Sequence, residues 1–186
     1  MNVYDFDGTI YRGDSSVDFF IYCLRRNPRI IRGIPKFCVC ALLYKMGKVS
    51  KKEMKEVYFH FLSEVKDIDL IVSEFWNCHE KKIKKWYLSQ KLQDDVIVTA
   101  SPYFLVSEIC SRLEISAPIA TEVDVKNGKF LSENCYGEEK PKRFRQVFPH
   151  VNPEGFYSDS YSDLPMAKLA NHAFFVSGNV RKQWNV

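Results

Sequence analysis

Met1-Asn-Val-Tyr-Asp-Phe-Asp-Gly-Thr-Ile-Tyr-Arg-Gly-Asp14 is the stretch around which the rest of the chain is organised. Its first six residues alternate in character, which predicts a short β-strand. The strand ends on two carboxylates, Asp5 and Asp7, and Gly8 follows at once, which favours a turn. Two like charges held this close call for a cation. An ordinary solvated turn is the alternative, because Asp-Gly alone marks little more than a turn.

The second half of the chain alternates short apolar runs with helical patterns. Such alternation is typical of an α/β fold with an open, mostly parallel sheet, in which ligands bind at the carboxyl ends of the strands. Strands are predicted at residues 95–100, 118–125, 129–131, 155–159 and 173–177, with a hairpin turn at Asn127-Gly128 and helices after Pro102, around Pro141 and over residues 164–170.

Residues 15–89, here called the insert, have a helical pattern throughout. Four helices are predicted, and the third begins at the capping box of Ser50 and Glu53. The chain is therefore expected to consist of a core, residues 1–14 and 90–186, and the helical insert. The first helix is expected to be capped by Ser15 and to bury Val17, Phe20, Ile21 and Leu24. The second segment covers Ile30–Met46. The fourth helix is expected to run from Asp67 to Ser89, with Leu70 facing inward and Lys81, Lys82, Lys84 and Lys85 facing water.

Composition limits the function classes that need to be considered. The 186 residues are 46% hydrophobic and 15% aromatic, which is enough for one good core and excludes general disorder. The first residues lead straight into a strand and resemble no secretory signal, so a cytoplasmic location is predicted. Six cysteines form no CxxC pair, and Cys38-Val-Cys40 has the wrong spacing for zinc, so mostly buried thiols are expected.

Charge is distributed unevenly along the chain. Residues 15–90 contain 15 Lys and Arg against 8 Asp and Glu, whereas the remainder contains 12 against 15. The segment Ile30–Met46 is too short in its apolar run to span a membrane, but its basic flanks leave open a helix lying on an anionic lipid surface. A packed amphipathic helix is the simpler alternative. The aromatics in Lys84-Lys-Trp-Tyr87 suggest nucleic-acid binding, but a solvated lysine face explains them better, so no nucleic-acid partner is expected.

Polar side chains are predicted at the carboxyl end of each core strand. Asp5 and Asp7 follow the first strand, and Thr99 and Ser101 end the second, with a helix N-terminus behind them. Lys140 follows the third region, and the fourth strand leads to Asp159 and Asp163. Carboxylates suit Mg²⁺, while a hydroxyl, a helix N-terminus and a lysine suit phosphate oxygens. Metal and phosphate together predict phosphoryl chemistry.

Four motifs in order carry a family resemblance: Asp5-Phe-Asp-Gly-Thr9, Thr99-Ala-Ser-Pro102, Lys140 and Ser158-Asp-Ser-Tyr-Ser-Asp163. They resemble motifs one to four of the haloacid dehalogenase-like (HAD) hydrolase superfamily, and the insert resembles the type-one helical cap of its phosphoserine phosphatase-like branch. The resemblance implies a Rossmann-like three-layer core with a mostly parallel sheet. It also implies a magnesium-dependent phosphatase that hydrolyses a phosphomonoester through an aspartyl-phosphate.

The resemblance also implies roles for individual residues. Asp5 would be the nucleophile and Asp7 the general acid and base. Thr99, Ala100, Ser101 and Lys140 would bind the transferring phosphate. The Asp5 carboxylate, the Asp7 carbonyl and Asp159 would ligate Mg²⁺, with Asp163 a ligand through water or an orienting residue behind the site; for Asp163 a helix-start acid is the alternative.

The substrate is left open between two classes of phosphomonoester. Phosphoserine phosphatases carry an acid at the position of Asp14, which would bind a substrate ammonium, but helix capping explains Asp14 better. The insert resembles phosphatidylglycerophosphatase C-like relatives in Leu24-Arg-Arg-Asn-Pro28, which implies a phospholipid headgroup phosphate. A non-catalytic protein that uses its basic insert to bind a membrane surface or nucleic acid is the alternative function.

Overall fold

A sheet of six strands, five of them parallel, forms the centre of the molecule, and a computed structural model describes it together with all other residues of the chain, 1–186. The strand order is β3-β2-β1-β4-β5-β6, and only β6 is antiparallel to its neighbour. The strands are β1 Asn2–Tyr4, β2 Val96–Pro102, β3 Ile119–Thr121, β4 Gly155–Ser158, β5 His172–Ser177 and β6 Val180–Gln183.

Eight α-helices surround the sheet. Short 3₁₀ turns connect several of them, at Pro28–Gly33, His60–Glu64, Glu80–Lys82 and Tyr161–Asp163. The helices are α1 Ser15–Arg26, α2 Ile34–Lys45, α3 Lys51–Phe59, α4 Ile68–His79, α5 Lys85–Leu88, α6 Tyr103–Arg112, α7 Glu139–Val147 and α8 Leu164–Ala167.

Side chains of successive strand residues point to opposite faces, and each face has its own apolar layer. Tyr4 belongs to a cluster that includes Leu105 of α6, whereas Val3 packs with Phe144 of α7 and Met166 of α8. Strands buried on both faces are typical of parallel sheets covered by helices. The predicted α/β fold with a three-layer core is confirmed, and β1 lies between β2 and β4 at its centre.

The fourth predicted helix of the insert is wrong in its length. It breaks after His79, because Ile83 is extended and pairs antiparallel with Tyr11. Two backbone hydrogen bonds hold this short ribbon, from Lys84 N to Ile10 O at 2.8 Å and from Arg12 N to Lys82 O at 3.0 Å. The two chain segments that connect core and insert are therefore bonded to each other. The insert contains five α-helices and not four.

Lys84 corrects a second expectation about the same segment. Its side chain does not face water: it is buried, and its Nζ donates to the carbonyl oxygens of Gly8 and of Gly178, the latter at 2.7 Å. Trp86 and Tyr87 are buried too and pack against Tyr4. Rings buried in the core offer no platform for bases, which counts against nucleic-acid binding by this segment.

Helix α1 differs from the prediction at its start and on its buried face. Asp14 and not Ser15 is the N-cap, and its Oδ1 accepts a hydrogen bond from Val17 N at 3.0 Å, which confirms the capping role expected for Asp14. Phe19 and Cys23 are the buried apolar residues, whereas Val17 is exposed. Apolar residues lie on more than one side of this helix, so periodicity alone did not identify the packed side. Ile21 and, on α4, Leu70 were also predicted to be buried and are exposed.

Helix α2 packs on α3 as expected, with the Phe37 ring 5.2 Å from the Tyr58 ring, but none of its side chains is fully buried. Val39 is 60% exposed and Leu42 is 59% exposed, although Ile30 in the preceding turn is buried. None of the helices has both the length and the apolar character needed to cross a lipid bilayer.

The remainder of the insert is attached to the core by packing. Trp76 of α4 is fully buried, and its Nε1 donates to the Leu105 carbonyl of α6 at 2.8 Å. The larger apolar cluster runs without interruption from the sheet through α6 into α1 and α4. The boundaries 15–89 for a separate cap therefore stay a prediction, because the apolar packing does not divide there.

Strand β6 was not predicted. It follows a turn at Gly178, and its residues Arg181, Lys182 and Gln183 are polar and exposed on this edge strand.

Helix α7 was predicted around Pro141. It begins at Glu139, so the proline is the third residue of the helix and lies within its first turn. Of the six cysteines, three are buried, and all six are free thiols.

Candidate active site

The carboxyl end of β1 provides the two carboxylates of the opening motif. Asp5 continues the strand pairing, with its N–H donating to the Tyr157 carbonyl of β4 at 2.9 Å, and its side chain is buried. Gly8 then reverses the chain with φ of +73°. The carboxylates of Asp5 and Asp7 lie in different environments and contact different partners.

Lys140 connects Asp5 to the acid that follows β4. The Lys140 Nζ donates to Asp5 Oδ1 at 2.7 Å and to Asp163 Oδ2 at 2.7 Å, and the lysine is 2% exposed. Ser158 Oγ donates to the same Asp163 oxygen at 2.7 Å. Burial opposes the charged form of Lys140, but Asp5 and Asp163 outweigh it and raise the pKa of the lysine above its ordinary value. The lysine therefore keeps its charge beside Asp5.

The Asp5 carboxylate is buried and has two other carboxylates near it, those of Asp163 and Asp159. Burial raises the pKa of Asp5 to about 6, Lys140 opposes that shift, and the charges of Asp163 and Asp159 add to it. The 2.7 Å ion pair with Lys140 favours the charged form of the Asp5 carboxylate.

Asp7 is held by hydrogen bonds of its own. Its Oδ1 accepts from Ser15 N at 2.6 Å, and its Oδ2 accepts from Ser101 Oγ. Burial raises the pKa of Asp7 to about 7, and the charge of Asp14 adds to the shift. A carboxyl group that titrates near neutral pH can both give and take a proton. Two carboxylates with different partners in one site suit two different chemical roles.

The predicted phosphate-binding residues line the same cleft, which has a volume of about 420 Å³. Thr99 is buried within β2, and its Oγ1 accepts a hydrogen bond from Ser101 N at 3.1 Å. The Ala100 carbonyl accepts from Lys55 Nζ at 3.0 Å. The structure therefore brings together Asp5, Asp7, Asp14, Thr99, Ala100, Ser101, Lys140 and Asp163.

Asp159 lies against Gly8, in the turn that follows Asp7. Its backbone N–H donates to Thr9 Oγ1 at 3.0 Å, and a Cβ built on Gly8 would lie 1.9 Å from its Oδ2. Burial raises the pKa of Asp159, and Lys84 opposes that shift. The glycine is therefore required where the turn approaches this carboxylate.

Whether the acidic residues of the cleft fit Mg²⁺ depends on how their oxygen atoms are arranged and engaged. No three acidic, histidine or cysteine side chains converge on one point to form a ready metal cage. Both carboxylate oxygens of Asp7 accept hydrogen bonds, whereas Asp5, Asp159 and Asp163 accept them through one oxygen each. Mg²⁺ typically takes only one or two carboxylates together with water and phosphate. The donor set fits Mg²⁺ on that basis.

Three functional-site residues were not predicted from the sequence. Lys55 of α3 reaches the core, where its Nζ also donates to Asn134 Oδ1 at 3.2 Å, and burial lowers the pKa of this lysine to about 8. Tyr58 lines the cleft, and its hydroxyl donates to Ser16 O at 2.9 Å. Lys84 supports the Gly8 turn. Nothing in the sequence distinguishes these lysines from their solvated neighbours.

Gly8→Ala is expected to lower the free energy of unfolding by about 2–4 kcal/mol, because the new Cβ would overlap the Asp159 carboxylate in a positive-φ turn. Gly47→Ala is the matched control, since Gly47 has φ of +71° but nothing within 4 Å of its built Cβ. The control should lose only about 1–2 kcal/mol. Urea denaturation of both variants provides the measurement, and equal losses would contradict the close approach of Asp159.

A buried carboxylate, a buried lysine and a second carboxyl group lie together at the carboxyl edge of the parallel sheet, which is where open α/β folds bind their ligands. Residues 3–168 match the family of haloacid dehalogenase-like hydrolases. The chain belongs to this family, as its four motifs predicted.

Curated relatives come from Mycobacterium tuberculosis. A probable phosphatase of strain ATCC 25618 / H37Rv is 34% identical over 106 residues, which is 50% of this chain and 36% of that protein. A phosphoserine phosphatase of the same strain is 22% identical over 204 residues, which is 96% of this chain and 65% of that protein. The chain thus spans about a third to two thirds of the length of these relatives.

Solved structures share the fold. A protein of unknown function from Bordetella pertussis Tohama I has a TM-score of 0.73 at 18% identity, over 93% of this chain and 87% of its own. A phosphoserine phosphohydrolase-like protein from Francisella tularensis has a TM-score of 0.54 at 16% identity, over 93% and 86%. The core with its helical insert is therefore an arrangement that other proteins adopt.

Proposed function

We propose that this protein is a magnesium-dependent phosphatase that hydrolyses a phosphomonoester through an aspartyl-phosphate intermediate. The observation that carries the proposal is the Asp5 carboxylate, which lies at the carboxyl end of the central strand with Lys140 Nζ 2.7 Å away. The proposal is also supported by the chain's membership of the hydrolase family and by relatives that are named as phosphatases. The site combines a nucleophile, a proton carrier and a cationic phosphate binder.

The first half of the reaction breaks the ester bond. A carboxylate oxygen of Asp5 attacks phosphorus, a new P–O bond forms, and the bond from phosphorus to the alcohol oxygen breaks. That oxygen keeps the bonding electrons and takes the proton of Asp7. Lys140 and the Thr99 hydroxyl bind the phosphoryl oxygens, where negative charge accumulates.

The second half releases phosphate and restores the protein. Asp7, now ionised, takes a proton from water, and the resulting hydroxide oxygen attacks phosphorus. The bond between phosphorus and the Asp5 oxygen breaks, so inorganic phosphate leaves and Asp5 returns as a carboxylate. Ser15 N and Ser101 Oγ hold the Asp7 carboxylate in place for both proton transfers.

Mg²⁺ would be held by the carboxylates of Asp5 and Asp159 and by the Asp7 carbonyl. When bound, it supplies positive charge that offsets the charge of phosphate and carboxylate. Asp163 acts differently from a ligand, because it fixes Lys140 beside Asp5 through the 2.7 Å ion pair. The Asp14 side chain caps α1, and its role in binding a substrate ammonium stays a prediction.

Release of phosphate from para-nitrophenyl phosphate tests the proposal. Turnover is expected with Mg²⁺ and is expected to fall to background when EDTA removes the metal, because the Asp5 and phosphate charges then repel each other. Readdition of Mg²⁺ should restore the rate. A rate that is indifferent to EDTA, or no turnover at any Mg²⁺ concentration, would reject the magnesium-dependent phosphatase.

A specific observation also favours peripheral contact with anionic lipid as a second function of the insert. Val39 and Leu42 of α2 are exposed, and basic residues precede and follow the helix. Apolar side chains flanked by cations are the features that hold a helix at an anionic bilayer surface. The exposed apolar residues are Ile31, Val39, Leu42 and Met46, and the flanking cations are Arg29, Arg32, Lys36, Lys45 and Lys48.

Liposome sedimentation tests this surface with a matched pair of variants. Binding to vesicles with anionic lipid is expected to fall as salt rises, and Leu42→Glu should reduce it at least about tenfold, because the charge opposes insertion. Leu70→Glu is the control, since Leu70 is 57% exposed on α4, away from α2. Equal binding by the two variants, or no binding by the wild type, would exclude α2 as a lipid contact.

A further inference from the structure

We propose that Lys84 is a positioning residue for Asp7: near the end of the insert, it holds the turn that follows this acid and so keeps its proton directed at the leaving oxygen. The inference rests on the proposed function and adds a residue that touches no reacting atom. It is carried by three hydrogen bonds that Lys84 donates to two separate loops of the core.

Lys84 binds the Gly8 turn at two carbonyl groups. Its backbone N–H donates to the Ile10 carbonyl at 2.8 Å, and its Nζ donates to the Gly8 carbonyl. The N–H groups of the same two residues bond within the loop. Gly8 N donates to Gly13 O at 3.0 Å. Ile10 N donates to Phe6 O, also at 3.0 Å. The loop therefore satisfies the N–H groups of this turn by itself, and Lys84 binds the carbonyl groups that remain.

The Lys84 ammonium also connects this turn to a second loop. The residue is 9% exposed, and its Nζ donates to the Gly178 carbonyl, between β5 and β6, at 2.7 Å. A buried cation is costly unless it is hydrogen-bonded, and hydrogen bonds from a charged donor are stronger than those from a neutral one. The Gly8 turn is therefore tied through Lys84 to the edge of the sheet.

Asp7 directly precedes the turn that Lys84 holds. The other contacts of this turn come from Asp159, whose backbone N–H donates to Thr9 Oγ1 at 3.0 Å and whose carboxylate lies against Gly8. Loss of Lys84 would leave the turn with support from Asp159 only. Because a displacement of about 1 Å can lower a rate by about 100-fold, even a small shift of Asp7 would impair proton transfer.

The nucleophile depends less on this turn than the acid does. Asp5 N donates to the Tyr157 carbonyl of β4 at 2.9 Å, and the Asp5 carboxylate is paired with Lys140. Both the main chain and the side chain of Asp5 are thus held by groups outside the turn. Removal of the Lys84 ammonium is therefore expected to impair proton donation to the leaving oxygen more than attack on phosphorus.

Two aryl phosphates whose leaving oxygens need a proton to different degrees test the inference. Para-nitrophenolate is a stable anion that leaves without a proton, whereas the more basic phenoxide needs general-acid help. Lys84→Met is expected to lower kcat/KM for phenyl phosphate at least about tenfold more than kcat/KM for para-nitrophenyl phosphate. Lys85→Met is the control, because Lys85 is the exposed neighbour, and it should change neither value.

The outcomes separate this inference from the proposed function. Equal losses on the two esters, or no loss, would overturn the role of Lys84 and leave the phosphatase proposal intact. Failure of the wild-type protein to hydrolyse either ester would instead reject the phosphatase proposal, and the role of Lys84 with it.

A double variant shows whether Lys84 acts through Asp7. Asp7→Asn removes the proton carrier, so adding Lys84→Met to it should lower the rate with phenyl phosphate by less than about twofold further, measured in single turnovers with enzyme in excess. The same loss from Lys84→Met in both backgrounds would show that the lysine supports the fold and not the acid.

Hydrogen exchange tests the hold on the turn without turnover. Amide exchange in residues 6–13 is expected to be at least about tenfold faster in Lys84→Met than in the wild type or Lys85→Met, because the turn then opens more often. Lys84→Gln, which keeps a donor for one carbonyl group, replaces Lys84→Met in all these tests where circular dichroism shows that Lys84→Met does not fold. Unchanged exchange in a folded Lys84 variant would overturn the inference.

Discussion

Asp5→Asn is expected to lower the rate of phosphate release by about 10⁴-fold or more, because a neutral amide cannot attack phosphorus as a carboxylate does. The substitution preserves shape, and Lys140 keeps its second partner, Asp163. The protein should therefore remain folded while the chemistry stops. Phosphate release from para-nitrophenyl phosphate in Mg²⁺ measures the effect, with circular dichroism to check the fold.

Asp69→Asn makes the same chemical change at an exposed position on α4 and should leave the rate unchanged. A second readout concerns the covalent intermediate. Wild-type protein quenched in acid during turnover should contain hydroxylamine-labile phosphate, and Asp5→Asn should contain none. Substantial turnover by Asp5→Asn, or labile phosphate on another residue, would assign the nucleophile elsewhere.

Lys140→Met is expected to lower the free energy of unfolding by about 3–5 kcal/mol at pH 7, since it leaves the Asp5 and Asp163 carboxylates facing each other without a cation. All three groups are buried, so water cannot replace the lost charge. Urea denaturation measures the change. Lys142→Met, two residues away and exposed, should alter stability by no more than about 0.5 kcal/mol.

A double variant separates the lost ion pairs from lost packing. Adding Asp163→Asn to Lys140→Met removes one stranded charge, so the pair should be less destabilised than the sum of the two single variants. Strictly additive losses would show that Lys140 stabilises the fold through its methylene chain and not through Asp163. The rate of phosphate release should stay low in Lys140→Met and in the double variant, because the phosphate then lacks its cation.

The convergence of Asp5 and Thr99 at one edge of the sheet could be predicted because both belong to neighbouring parallel strand segments. Asp5 comes directly after β1, Thr99 lies within β2, and a parallel sheet brings such residues together whatever the loops do. Lys140 was found through its motif. The structure added its second partner, since nothing local in the sequence links Lys140 to Asp163 or to Ser158.

The insert was harder to predict because its helices carry apolar residues on several sides. Phe19 is buried and Val17 is exposed on the same helix, and only packing against α4 and α6 decides between them. Lys84 lies within a run of lysines, and its burial depends on the ribbon with Ile10 and on carbonyl groups far away in sequence. Lys55 reaches Ala100 for the same kind of long-range reason.

The absence of buried side chains in α2 has a consequence for how this protein can diverge. Substitutions at exposed positions usually change stability by no more than about 0.5 kcal/mol, so mutations accumulate there with little effect on folding. The same helix supplies Phe37 to the wall of the cleft, whereas the nucleophile, the acid and the lysine belong to other elements. Substitutions on α2 can therefore reshape one wall of the cleft without altering Asp5, Asp7 or Lys140.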